Sequence, residues 1–244
     1  MSLLELEDVV VQFGGVTAVN HSSFSAEPGR ITGLIGPNGA GKTTCFNVIT
    51  GLQKPTSGTV RFAGRTVTST PVHRRARRGM ARTFQRLEAF GSLSVRDNVR
   101  VASEIHRGLA GAFRPSAGVD GFLERVGISE YADERADSVP TGVARLLELA
   151  RCLASDPKLL LLDEPSSGLD EQETKSFGDL MVELAAEGRA VVMVEHDMAL
   201  VMAVCERIHV LDFGVVIASG TPDVIRADPQ VRAAYLGSSE ETHR

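Results

Sequence analysis

The sequence predicts an α/β fold, a parallel sheet covered by helices with a helical subdomain set into it. Three observations carry that expectation. The runs KLLLLDEP (158–165) and RAVVMVEHD (189–197) are short and continuously apolar, as strands covered on both faces must be. Between them Phe177, Leu180, Met181 and Leu184 recur at i, i+3, i+4 and i+7, the stripe of a helix with one buried side. A third apolar run, Arg30–Ile35, leads directly into the glycine-rich GPNGAGKTT (36–44).

Taken in order, Leu3–Phe13 reads as a strand rich in Val and Leu, and Arg30–Ile35 as a second. Lys42–Ile49 reads as a helix ending near Gly51, and Gly58–Phe62 as a short strand. The basic run His73–Arg78 reads as the solvated face of a short helix; contact with lipid headgroups or nucleic acid is the alternative. Val95–Leu153 is mostly helical by pattern, broken at Gly111–Pro115. Ile208–Leu211 and Val215–Ala218 form a hairpin around Gly214, and Thr221-Pro222 opens a last helix with Thr as N-cap. The tail 238–244 is expected to fray. One domain of 244 residues results: a β-rich core from 1–85 and 156–220, a helical subdomain from 86–155, and C-terminal helices with a tail from 221–244.

Composition narrows the classes. A net charge of −5 argues against a general nucleic-acid binder. Cys45, Cys152 and Cys205 are odd in number and far apart, fitting neither a disulfide framework nor a metal cluster, so a reduced cytoplasmic setting is expected. The opening MSLLELEDVVV is acidic, unlike a signal peptide. No apolar run approaches the roughly 20 residues that span a bilayer, so any membrane role is expected to come through a partner.

Gly36–Thr43 fits G-x-x-x-x-G-K-[ST] between an expected strand and an expected helix. In that context Gly36, Pro37, Asn38, Gly39, Ala40 and Gly41 present backbone amides to phosphate oxygens, and Lys42, Thr43 and Thr44 sit at the positive end of a helix. Lys42 there opposes the helix dipole, a conflict that a bound phosphate removes. Asp163 and Glu164 end an apolar run, where adjacent carboxylates must be paired or bound to metal. The functional reading gives Asp163 to Mg²⁺ and Glu164 to an attacking water. His196 follows the apolar run Ala190–Val194. Ligands of open parallel sheets bind outside the strands' carboxyl ends. The ends at Ile35, Leu162 and Val194 therefore deliver Lys42, Asp163, Glu164 and His196 to one crevice, that of a Mg²⁺-dependent nucleoside triphosphatase.

The order of these motifs resembles the nucleotide-binding subunit of ABC transporters over almost the whole chain. GPNGAGKTT resembles Walker A, LLLLDEP Walker B, SSGLD (166–170) the D-loop, ARTFQ ending at Gln85 the Q-loop, and VEHD the loop of the switch histidine His196. The resemblance implies a P-loop NTPase of ABC type: a RecA-like core, an N-terminal antiparallel β subdomain and an inserted helical subdomain. It implies ATP as ligand, Mg²⁺ held by Thr43, Gln85 and Asp163, and catalysis by Glu164, His196, Gln85 and Lys42. Phe13 holds the position of the aromatic that stacks on adenine; a strand-end core residue is the alternative. FGGVTAVN, EHDMALVMAVCERIHVLDFG and IASGTPDVI further resemble the ATPase subunits of branched-chain amino acid importers. That implies a peripheral cytoplasmic ATPase serving two membrane permeases and an extracellular or periplasmic solute-binding protein. A soluble ABC-type ATPase acting on DNA or ribosomes is the alternative. Phe90 and Leu93 either line a groove for a permease helix or pack locally.

VPTGVARLLELARCL (139–153) resembles the ABC signature and its helix, with departures at Pro140, Thr141 and Val143. The family's serine at the Pro140 position contacts the γ-phosphate held by the opposite subunit, and proline offers neither hydroxyl nor N–H. Thr141 either caps the helix or lends its hydroxyl to phosphate, and Gly142 matches the glycine that admits phosphate. A heterodimer with a partner carrying a regular signature is favoured over a homodimer.

Overall fold

The computed structural model describes residues 2–85, 88–107 and 118–232. The expected break at Gly111–Pro115 and the tail 238–244 lie outside these residues. β1 (Leu4–Phe13), β2 (Val16–Ala26), α1 (Lys42–Thr50) after β3 (Ile31–Ile35), β4 (Ser57–Phe62) and β5 (Arg65–Thr66) open the chain. α2 (Val72–Ala76) and β6 (Met80–Arg82) follow, then α3 (Val95–Arg107), α4 (Val119–Arg125) and α5 (Thr141–Leu153). β7 (Leu159–Asp163), α6 (Glu171–Ala186), β8 (Ala190–Val194), α7 (Met198–Val204), β9 (Arg207–Asp212), β10 (Val215–Gly220), α8 (Pro222–Ala227) and α9 (Pro229–Val231) complete it.

Two sheets result. An antiparallel sheet runs β2-β1-β4-β5, and a larger sheet runs β10-β9-β3-β8-β7-β6, parallel except for β10. The continuous apolar runs are explained by its position between two cores. Leu159, Leu161, Val192 and Val194 point toward the antiparallel sheet and α1, while Leu160, Leu162, Val191 and Met193 point toward α5, α6 and α7. The stripe Phe177, Leu180, Met181 and Leu184 on α6 is buried as its spacing requires. Asp170 caps α6 with a full capping box to Glu173.

Three sequence expectations are corrected. β2 was not anticipated: VTAVNHSSFSA is polar, yet Ser22 is fully buried because its hydroxyl donates to Gly214 O at 2.6 Å. Thr221 stands at the N-cap of α8, but its side chain makes no capping bond. The basic run on α2 is not wholly solvated. Arg75 is 2% exposed and donates to Val48 O and Ile49 O at the carboxyl end of α1, and to Thr68 O and Thr70 O. Val48 O and Ile49 O belong to the last turn of the phosphate-loop helix, where carbonyls lack a full set of helical partners, and a guanidinium there also meets the negative end of the dipole. A Cβ at Gly51 would lie 2.8 Å from Arg75 Nε, so this packing requires the glycine.

His209 on β9 is buried between Ser219 Oγ, 2.8 Å from Nδ1, and Ser25 O, 3.4 Å from Nε2. Burial pushes its pKa down from 6.5 to about 4. The folded chain then holds fewer protons than the unfolded chain between these values. Its stability contribution is present above pH 6.5 and lost as pH falls toward 4, about 3 kcal/mol in all. His209→Gln replaces the titrating ring by a neutral polar group that can still donate toward Ser25 O, and is expected to flatten the acid limb of urea-unfolding stability. Identical acid limbs in the two proteins would exclude His209 as its source.

Candidate nucleotide site

β3, β8 and β7 are neighbours in the sheet and all parallel, so their carboxyl ends open on one crevice. The loop after β3 wraps a cavity of about 260 Å³ lined by Asn38–Thr44, Ala18, Gln85, Glu164 and Val194. Two glycines are sterically obligatory. A Cβ at Gly36 would fall 2.0 Å from Leu211 O, and one at Gly41 2.4 Å from Ala18 O. Gly41 is the N-cap of α1 with φ +103° and supplies no side-chain cap, leaving the helix's first amides facing the cavity.

Lys42 is buried and folds back, its Nζ donating to Gly36 O at 2.6 Å and Pro37 O at 3.0 Å. Burial lowers its pKa, while the charges of Glu164 and Asp163 oppose that shift. Glu164 is left-handed, φ +50°, which turns the chain out of β7 and leaves its carboxylate at the cavity. Gln85 Nε2 donates to Glu164 Oε1 at 3.3 Å, and His196 Nε2 is 3.2 Å from the same oxygen. Of the residues expected from three strand ends and the Q-loop, Lys42, Gln85, Glu164 and His196 come together here.

Asp163 does not line this cavity. Its side chain is 2% exposed and pairs with Arg82, 5% exposed, at 3.1 Å. Burial raises the Asp163 pKa and Arg82 pulls it down. Arg82 also donates to Asn47 Oδ1 at 2.6 Å and lies between the rings of Phe46 and Phe84, at 5.3 and 4.9 Å. The need for a counter-charge beside Asp163 was legible in the sequence; its identity was not, because Arg82 sits on a strand of three residues. Thr43, Gln85 and Asp163 are hard oxygen donors of the kind Mg²⁺ takes, and Asp163 Oδ1 makes no hydrogen bond among the described residues.

Phe13 is 50% exposed at the end of β1, which excludes the core reading. Pro140 is the N-cap of α5, and Thr141 is its first helical residue with no capping bond, so Thr141 does not cap the helix. Gly142 is buried, and a Cβ there would lie 2.8 Å from Gly168 O. Within the chain, that glycine admits the D-loop backbone. Neither Thr141 nor Gly142 lines the cavity around Lys42. α5 also grips the Q-loop. Arg145 donates to Phe84 O and Gln85 O, Arg151 donates to Glu88 O, and buried Glu148 accepts from Glu88 N at 2.7 Å. Phe90 is under Arg151 and, with Leu52, Val72, Val101 and Ile105, lines an apolar groove of about 380 Å³; Leu93 does not.

A phosphate loop, a buried aspartate, a glutamate at the cavity and a histidine beside it, on adjacent parallel strands, define a P-loop nucleoside triphosphatase. Comparison with known proteins narrows the class. The sequence profile of the ABC transporter family matches residues 19–167, and that of the branched-chain amino acid ATP-binding cassette transporter matches residues 215–241. The chain therefore belongs to the ABC transporter family and is an ATPase of that family. It is 41% identical to the high-affinity branched-chain amino acid transport ATP-binding protein LivG of Salmonella typhimurium, over 97% of this chain and 98% of that one. It is 38% identical, with the same coverage, to the corresponding protein BraF of Pseudomonas aeruginosa. The solved ADP conformation of an ATP-binding cassette of an ABC transporter superposes with a TM-score of 0.85 at 30% identity, covering 97% of this chain and 99% of that one.

Proposed function

We propose that this chain hydrolyses ATP to drive a membrane importer for branched-chain amino acids or similar small solutes. The observation that carries the reading is the meeting of Gln85, Glu164 and His196 over the Lys42 cavity. End-to-end similarity to LivG and BraF supports the solute class.

Lys42 and the amides of Gly39, Gly41 and Thr43 hold the β- and γ-phosphates, with Asn38, Ala40 and Thr44 shaping the loop and Phe13 against the adenine. Thr43, Gln85 and Asp163 would hold Mg²⁺, which supplies charge neutralisation at the phosphates when bound. Glu164 orients a water in line with the γ-phosphorus and takes its proton as the new P–O bond forms and the bond to the β-phosphate oxygen breaks. His196, whose Nε2 is 3.2 Å from Glu164 Oε1, would contact the γ-phosphate. Positioning and charge stabilisation lower the barrier, without a covalent intermediate.

Similarity to the transport subunits LivG and BraF supports a place at the cytoplasmic face, on two permease subunits; among the described residues no helix is long and apolar enough to cross a membrane. The apolar groove containing Phe90, with Leu52 53% and Ile105 75% exposed, supports that docking. Membrane fractionation tests it. Recovery with the permeases supports import, whereas nuclease-sensitive association with nucleic acid supports the soluble alternative.

The altered signature supports a heterodimer. Pro140 has no hydroxyl and no N–H for a γ-phosphate held by the opposite subunit, while Thr141 and Gly142 keep a free helix start. Pro140→Ser is expected to raise the ATPase rate of the purified homodimer by about tenfold, the worth of one charge-assisted hydrogen bond. A homodimer that is already brisk, and unchanged by the substitution, would contradict this.

A further inference from the structure

Glu195 is an acidic residue buried to 3% exposure, with no cation paired to it among the described residues. A carboxylate removed from water needs compensating donors. Glu195 has two, both backbone: Oε1 accepts from Ser166 N at 2.8 Å and Oε2 accepts from His196 N at 3.1 Å.

Their placement explains what the carboxylate does. β7 and β8 pair in parallel up to Asp163 and Val194, and Glu164 N continues the ladder onto Val194 O at 2.9 Å. The left-handed conformation of Glu164 then turns its chain away, and no backbone carbonyl of the neighbouring segment meets Ser166 N. The Glu195 side chain reaches across and supplies the missing acceptor. With its second oxygen it holds the amide of His196, whose imidazole is 3.2 Å from Glu164. Asp197 anchors the far side of the loop by accepting from Leu200 N at the start of α7.

We infer that Glu195 is a positioning residue that staples the Glu164 loop to the His196 loop and sets the separation of these two groups during hydrolysis. It does not line the cavity around Lys42, and its hydrogen bonds go to Ser166 N and His196 N, not to the loop from Gly36 to Thr43. The inference rests on the ATPase reading for its kinetic consequence, but the staple itself is independent of it.

The experiment compares Glu195→Ala and Glu195→Gln in the full-length chain by residue-resolved amide exchange, thermal unfolding, ATP binding and ATPase kinetics. In Glu195→Ala the amides of Ser166 and His196 are expected to exchange faster, with Glu164 N unchanged. kcat is expected to fall about a hundredfold, the order produced by misplacing catalytic groups by an ångström, with KM and ATP affinity within about twofold. Glu195→Gln keeps one acceptor but turns an amide donor toward the other N–H, so its kcat should lie between the two. Unchanged exchange at Ser166 and His196 would overturn the staple. Unchanged kcat, or a loss matched in ATP affinity or by unfolding at the assay temperature, would overturn the positioning role. An inactive wild-type chain with the expected exchange pattern would instead count against the ATPase reading alone.

Discussion

Replacing Glu164 by Gln is expected to lower ATP turnover by about 10²–10⁴-fold while ATP still binds. Glutamine is nearly isosteric and can keep contacts with Gln85 Nε2 and His196 Nε2, both of which converge on Glu164 Oε1. It cannot take the proton of the attacking water. Lys42 and the loop from Gly36 to Thr43 lie on β3 and α1 and are untouched by the change. Single-turnover phosphate release and fluorescent-nucleotide binding measure the two effects separately. Hydrolysis near the wild-type rate would remove Glu164 from its role, and loss of binding would make the residue a ligand of the nucleotide instead.

The second large effect concerns the pair beneath the site. Arg82→Met is expected to cost about 3–5 kcal/mol in urea unfolding, because it strands a buried carboxylate. The side chains of Arg82 and Asp163 are 5% and 2% exposed, so water compensates neither. The same change removes the bond to Asn47 and the contacts with Phe46 and Phe84, which tie the phosphate-loop helix to the Q-loop strand. The double variant Arg82→Met/Asp163→Asn should recover a large part of the loss, since the uncompensated charge is gone. A single-variant loss under about 1 kcal/mol would show that the pair is not held as described.

The core of the fold was legible because its strands are buried on both faces. Leu159 to Leu162 alternate between two hydrophobic cores, and only an unbroken apolar run can do that. The phosphate loop was legible because Gly36 and Gly41 are demanded by backbone atoms of distant segments, Leu211 O and Ala18 O. What escaped the sequence depends on partners far along the chain. β2 is polar in sequence and is recruited by pairing with β1 and by contact with Gly214. Arg75 lies in a run of cations that looks solvated, but only it meets the end of α1. Arg82 and Glu195 are charged residues whose positions make sense only once β6, β7 and β8 are side by side. Thr141 satisfied the composition of a cap, yet Pro140 occupies the cap position.

The most direct measurement is leucine uptake into proteoliposomes that contain this chain, its permease subunits, a second ATPase subunit and the solute-binding protein, with ATP on the side of the ATPases. The account predicts uptake that requires ATP, falls to background with Glu164→Gln in this chain, and is accompanied by solute-stimulated phosphate release. Uptake that persists undiminished with Glu164→Gln, or ATP hydrolysis indifferent to permeases and solute, would contradict it.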